Sequence, residues 1–231
     1  MTNYDKNFNV SSVNIKVLCM QCQHSSFKYM KSYHHGNLKQ ELIDCASKMC
    51  ERDGYTKLSI RSLAKESNVS QTAPYRHFKT KEDLYAEIAT EGFNKLHKTI
   101  SKNQSGDPEK NLTVGAKAYI QFGLSNANTY DLMFGTAVPD FTKYPLLFQS
   151  ANKTYLHIRT KFNEFSKIED QKLIEEKCVY IWAKLHGLVG LLRKLEVVPE
   201  KLLDMPDTPF KAINSINKDI DSYLIRFFRN I

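Results

Sequence analysis

The stretch SQTAPYRHFKTK, residues 70–81, gathers side chains that suit base edges and phosphates. Gln71 can pair bidentately with adenine, and Thr72 can offer a methyl group or a hydroxyl. Tyr75, His77 and Lys81 can donate hydrogen bonds to phosphate oxygens. The amides at the start of the helix that begins near Lys81 add a positive dipole end. Ala73 and Phe78 alone supply an apolar edge, too thin for a helix of this length to stand without tertiary support. Pro74, close to the helix start, costs at most one backbone bond there. A net charge of +8 over 231 residues, with a pI of about 9.1, agrees with an anionic partner.

A second constellation lies far downstream. Trp182 and His186 are four apart and share a helix face. Gly187 beside them permits a close crossing by a neighbouring helix. With Tyr119, Phe122, Phe134, Phe148 and Tyr155 they can line an apolar pocket with a few polar tips, the composition of small-molecule sites. The same stripe also serves an ordinary core, with His186 a satisfied core histidine. Cys178, His157, His186 and Glu175 are ingredients of an enzyme. No nucleophile motif, glycine-rich phosphate loop or H-x-x-x-H pair joins them, so neither a catalytic residue nor a cofactor is expected. Cys19 and Cys22 form a C-x-x-C with His24 behind, but no second ligand pair with zinc spacing follows, and no metal site is expected.

The elements that must position these residues read as helical throughout. Residues 1–30 are polar and aperiodic and are expected to be a flexible extension, with Met30 a candidate start. Asn37 can cap a helix bearing Leu38, Leu42, Cys45, Ala46 and Met49, which Gly54 ends. Ser59 caps a short second helix carrying Ile60, Leu63 and Ala64. After the 70–78 stretch, Thr80 and Asp83 resemble a capping box opening a longer helix with Leu84, Ile88, Leu96 and Ile100. "SKNQSGDPEK" is a linker, and Pro108 suits the first turn of the next helix. Further helices are expected at 109–126, around "YDLMFG", at 146–166, 170–196 and 209–229. The fold class is all-α, with a three-helix helix-turn-helix domain at 31–82 and a helical regulatory and dimerisation domain at 83–231. No apolar run approaches the roughly 18 residues of a membrane span. Cys45, Cys50 and Cys178 sit within helical patterns and suit reduced thiols, so a cytoplasmic protein is expected.

Two short helices joined by a tight turn and preceded by a longer one make a helix-turn-helix, whose second short helix enters the major groove. The segment 34–84 resembles the DNA-binding domain of the TetR/AcrR family of bacterial transcriptional regulators. The matching positions are Gly54-Tyr55, Ser59-Ile60, Ala64, Val69-Ser70, Tyr75, His77-Phe78, Lys81 and Leu84. The sequence departs from the family at Thr72-Ala73, where glycine or proline is frequent, and at Pro74, where leucine is common. "LMFG" at 132–135 and "WAKLHG" at 182–187 resemble the subgroup with a Trp-x-x-x-His-Gly signature. The resemblance implies base-reading roles for Arg61, Gln71, Thr72 and Ala73, and DNA-backbone roles for Ser59, Ser70, Tyr75, His77 and Lys81. It also implies a homodimer on a (pseudo)palindromic operator and release of DNA by a small effector. Residues 170–196 and 209–229 are the expected dimer surfaces, because the first is apolar on more than one face. The alternative is a DNA-binding regulator with no small effector, controlled by a protein partner; a filled C-terminal core would favour it.

Overall fold

The computed structural model describes residues 37–102 and 104–231. The expectations for residues 1–30, including Cys19, Cys22 and His24, lie outside the described residues. Among those described, every regular element is helical: α1 Leu38–Asp53, α2 Ile60–Glu66, α3 Lys81–Ile100, α4 Pro108–Ser125, α5 Ala127–Phe134, α6 Pro145–Phe165, α7 Gln171–Leu195, α8 Pro209–Lys218 and α9 Ile220–Arg229.

Local chemistry sets most of the boundaries. Gly54 ends α1 at φ 84°, a left-handed value that costs glycine little. Ser59 caps α2 reciprocally with Ser62, which fills the third helical position that glutamate more often takes. Thr80 and Asp83 form the expected capping box on α3, and Asp83 also accepts from the Lys79 N–H at 2.9 Å. Partial burial opposes ionisation of Asp83, but hydrogen bonds from Thr80, the Tyr144 hydroxyl and Lys79 outweigh it and hold its pKa low. This contribution to stability is present above the ordinary carboxylate pKa and is lost as pH falls through the lowered value. Asn37 precedes α1 but makes no side-chain cap bond.

Two expected helices differ. Residues 71–76 wind as turns and a 3-10 segment at Pro74–Arg76 rather than as an α-helix. Pro74 has no N–H for the bond to Ser70, and its ring crowds that carbonyl. The bonds that form instead span three residues, Ala73 N–H to Ser70 O at 3.0 Å and His77 N–H to Pro74 O at 2.9 Å. The 209–229 stripe breaks at Asp219, whose carboxylate accepts from the Ser222 N–H and starts α9 anew. The break lets α8 pack on α7 while α9 packs on α4, which one straight helix could not do.

α3 is the spine. It packs against α1, α4, α5 and α6, with Leu84, Ile88, Leu96 and Ile100 essentially inaccessible. Two glycines set the closest approaches. A Cβ on Gly92 would meet the Met133 sulfur, so α3 and α5 nearly touch. A Cβ on Gly123 would lie 2.7 Å from Val189 Cγ1 and 3.2 Å from Tyr130 Cε2, where α4 meets α7. Valine is stiff at χ1 and cannot swing aside. Gly123→Ala should therefore cost about 1–3 kcal/mol of stability, read as a lower urea midpoint. An unchanged midpoint would mean that the two helices part without cost.

Candidate functional site

Two sites are built on this scaffold. The first is the head formed by α1, α2 and the 70–78 segment. Phe78 is fully buried and Pro74 is buried, so these two anchor the segment; Ala73, expected in that role, is half-buried. Gln71, Thr72, Tyr75, Arg76 and His77 are all exposed, and so is Arg61 on α2. The Ser70 and Thr72 hydroxyl oxygens lie 3.3 Å apart. Ser59 spends its hydroxyl on the α2 cap. The Lys81 ammonium donates to the Thr56 carbonyl at 3.1 Å and lies over the Tyr85 ring, which leaves further N–H groups free. Tyr85 in turn donates to the Tyr55 carbonyl at 2.5 Å, tying the start of α3 to the turn after α1. The outcome is a convex surface of donors and one amide side chain, with its apolar edge turned inward.

The second site is a cavity of about 660 Å³ between α3, α4, α5, α6 and α7. Of the seven residues expected on a pocket wall, it brings together Tyr119, Phe134, Phe148, Tyr155, Trp182 and His186. Phe122 is not among them: it is buried in the core. Phe93, Met133, Phe141, Thr154 and Cys178 also line the wall without having been singled out for it. Gly187 faces open space rather than a crossing helix, as does Gly190.

A hydrogen-bond chain runs along one end of the cavity. The Tyr119 and Tyr130 hydroxyls are 2.8 Å apart, and Tyr130 Oη is 2.7 Å from His186 Nδ1. Burial pushes the Tyr119 pKa up to about 12 and raises that of Tyr130 as well. Burial also lowers His186, against the opposing pull of Asp131, so its ring is neutral at pH 7. Cys178 lies about two helical turns from His186 on the same helix, and burial raises its thiol pKa. The wall thus pairs no activated nucleophile with a base.

α5 connects the two sites. The Glu51 carboxylate, at the end of α1, accepts from the Thr129 N–H at 3.1 Å and the Asn128 N–H at 3.4 Å. The Asn128 side chain donates back to the Glu51 carbonyl at 2.7 Å. One helical turn further, α5 carries Met133 and Phe134 into the cavity wall, and Asp131 holds Arg193 of α7 at 2.6 and 2.9 Å. A second tie runs from the Tyr144 hydroxyl to Asp83 at the start of α3, 3.2 Å.

Residues 42–88 match the family of bacterial regulatory proteins, tetR family. The chain carries a TetR-family DNA-binding domain. Its all-helical body, an N-terminal helix-turn-helix followed by a helical C-terminal part, has the TetR-like fold. YobS of Bacillus subtilis (strain 168), an uncharacterized HTH-type transcriptional regulator, is 25% identical over 99 residues, 42% of this chain and 51% of that protein. The chain thus spans about half the length of this relative. A protein of unknown function from Rhodococcus sp. RHA1 has a similar structure, with a TM-score of 0.62 at 22% identity, covering 85% of this chain and 97% of that one. A TetR protein from Acinetobacter baumannii AYE, solved in complex with minocycline, aligns with a TM-score of 0.54 at 18% identity, covering 83% and 96%. At these identities the solved structures share the fold. No described helix is long and apolar enough to cross a membrane.

Proposed function

We propose that the protein is a transcriptional repressor that leaves its operator when a small molecule enters the α3–α7 cavity. The observation that carries this reading is α5. Its first turn is hydrogen-bonded to the head through Glu51, and its last turn forms the cavity wall. A molecule that displaces Met133 or Phe134 therefore acts on the same rigid helix that holds α1. The solved TetR structure with minocycline supports the reading by showing this fold holding a drug-sized molecule. The open cavity speaks against the alternative of control by a protein partner alone. Trp182, His186 and Gly187 support, on this reading, membership of the Trp-x-x-x-His-Gly subgroup.

In this reading Gln71, Thr72, Ala73 and Arg61 read bases. Tyr75, His77, Ser70 and Lys81 hold phosphates, with Ser59 orienting α2. The protein acts as a homodimer, which places two heads one turn of DNA apart, about 34–36 Å, or a multiple of that. Val179, Tyr180 and Leu191 on α7 are about half exposed, and Gly187 and Gly190 beside them are open to close approach. With α8 and α9 they offer the surface that a four-helix packing between subunits requires.

The test is selection of binding sites from random duplexes with the native chain and two variants. The native selection should return an inverted repeat. Gln71→Ala should relax base preference by about 1–3 kcal/mol at the position it reads. Tyr75→Phe should weaken specific and random DNA alike, because it loses only a phosphate contact. An unaltered base preference in Gln71→Ala would refute this placement of the reading surface.

A further inference from the structure

We propose that the cavity takes an uncharged, flat, mainly apolar molecule bearing one hydrogen-bond acceptor, an aromatic ketone for example, whose oxygen accepts from the Nε2–H of His186. This rests on the reading of the cavity as the effector site and specifies its ligand chemistry. Three independent features of the wall point to it.

The first is charge. No Asp, Glu, Lys or Arg lines the cavity. The ion pairs behind the wall are already matched internally, Arg159 with Glu175 at 3.3 Å and Arg193 with Asp131 at 2.6 Å. A carboxylate or ammonium brought here would lose its water and find no counter-charge.

The second is shape. Phe134 stands at the centre of a group of rings, 5.4 Å from Phe93, 5.3 Å from His186 and 6.0 Å from Trp182 between centroids. Phe148 and Tyr155 line the same cavity from α6. Such walls favour a flat ring over a branched aliphatic body, through offset and edge contacts.

The third is the direction of the hydrogen-bond chain. The order that leaves fewest polar groups unpaired has Tyr119 donating to Tyr130 and Tyr130 donating to His186 Nδ1. In the reverse order the hydrogen of the buried Tyr119 hydroxyl would have no acceptor among the described residues, and Nε2 would be unpaired as well. This order puts the proton of the neutral imidazole on Nε2, which has no hydrogen-bond partner among the described residues. A donor held at the edge of an apolar cavity is best met by an acceptor on the ligand.

The test is calorimetric titration of the full chain, without DNA, with three probes of one ring size: 2-acetylnaphthalene, 2-ethylnaphthalene and 2-naphthoate. The ketone should bind about tenfold or more tighter than the naphthoate and severalfold tighter than the hydrocarbon. His186→Phe keeps an aromatic ring and removes the donor, so the preference for ketone over hydrocarbon should fall to about one. Equal or tighter binding of naphthoate, no preference for ketone over hydrocarbon, or no binding of any probe would overturn the proposal. So would an unchanged preference in a His186→Phe protein whose circular dichroism shows it folded. If that variant does not fold, the three-probe order on the native chain decides alone. A ketone that binds in the expected order yet leaves an operator gel shift unchanged would overturn the effector reading and leave this ligand chemistry standing.

Discussion

Phe78→Ala should destabilise the head by about 3–5 kcal/mol and remove sequence-specific DNA binding with it. Phe78 is fully buried and follows directly on the 3-10 segment that presents Tyr75 and His77. That segment has few resources of its own. Its backbone bonds are three-residue spans apart from the one Phe78 itself donates to the Pro74 carbonyl, and its polar side chains face outward. The hydrophobic hold of Phe78, with that of Pro74, is therefore most of what fixes the reading surface in space. A truncation here removes a whole ring from a site flanked by α-helices on the core side, and the surrounding backbone cannot collapse without moving the segment. Urea denaturation of the variant should show the loss, and a binding selection should return no preferred sequence. Near-native stability together with a native operator would show that the segment is held elsewhere.

The second large effect concerns the link between the sites. Effector and operator should oppose each other's binding by one common factor, of the usual allosteric size of about 5–150-fold. Glu51→Ala should bring that factor towards one. The carboxylate caps α5 from the other side of the head–body boundary, so its loss frees the start of α5 from α1 while leaving Met133 and Phe134 on the wall. Loss of a cap of this kind also costs about 1 kcal/mol of stability. Each affinity measured alone should change little, because Glu51 belongs to neither contact surface. The measurement is the effector affinity of free and operator-bound protein, native and variant. A native protein with equal affinities would show that the ligand does not discriminate between states, in which case it can shift nothing. A variant with undiminished coupling would place the route through Tyr144 and Asp83 instead.

Much of this was legible along the chain because it is local. Caps at Ser59 and Thr80, the stop at Gly54 and the proline at the start of α4 depend on residues within one turn. Apolar spacing on α3, α6 and α7 marks a buried face whatever it packs against. The exposed, polar 70–77 run announced a surface with a task, since such a run has no reason to fold for itself.

What sequence spacing could not decide is what lies opposite each face. The apolar stripe of α7 reads the same whether it meets core, cavity or another subunit; only the packing shows Leu185 and Val189 buried while Trp182 and His186 stand on a cavity. Phe122 has the composition of a wall residue, yet the packing buries it in the core while its helix-face neighbour Tyr119 lines the cavity. Glu51 and Asn128 are 77 residues apart, and nothing local ties a surface glutamate to the first turn of a helix that far downstream. The α-helix expected at 71–76 gave way to a 3-10 turn because one missing N–H at Pro74 outweighs the propensity of its neighbours. The chain by itself thus determined most of the helical segments and which stretch stands polar and exposed. Tertiary packing alone decided where the cavity opens and which helix joins it to the head, because both depend on contacts between segments whose spacing carries no record of each other.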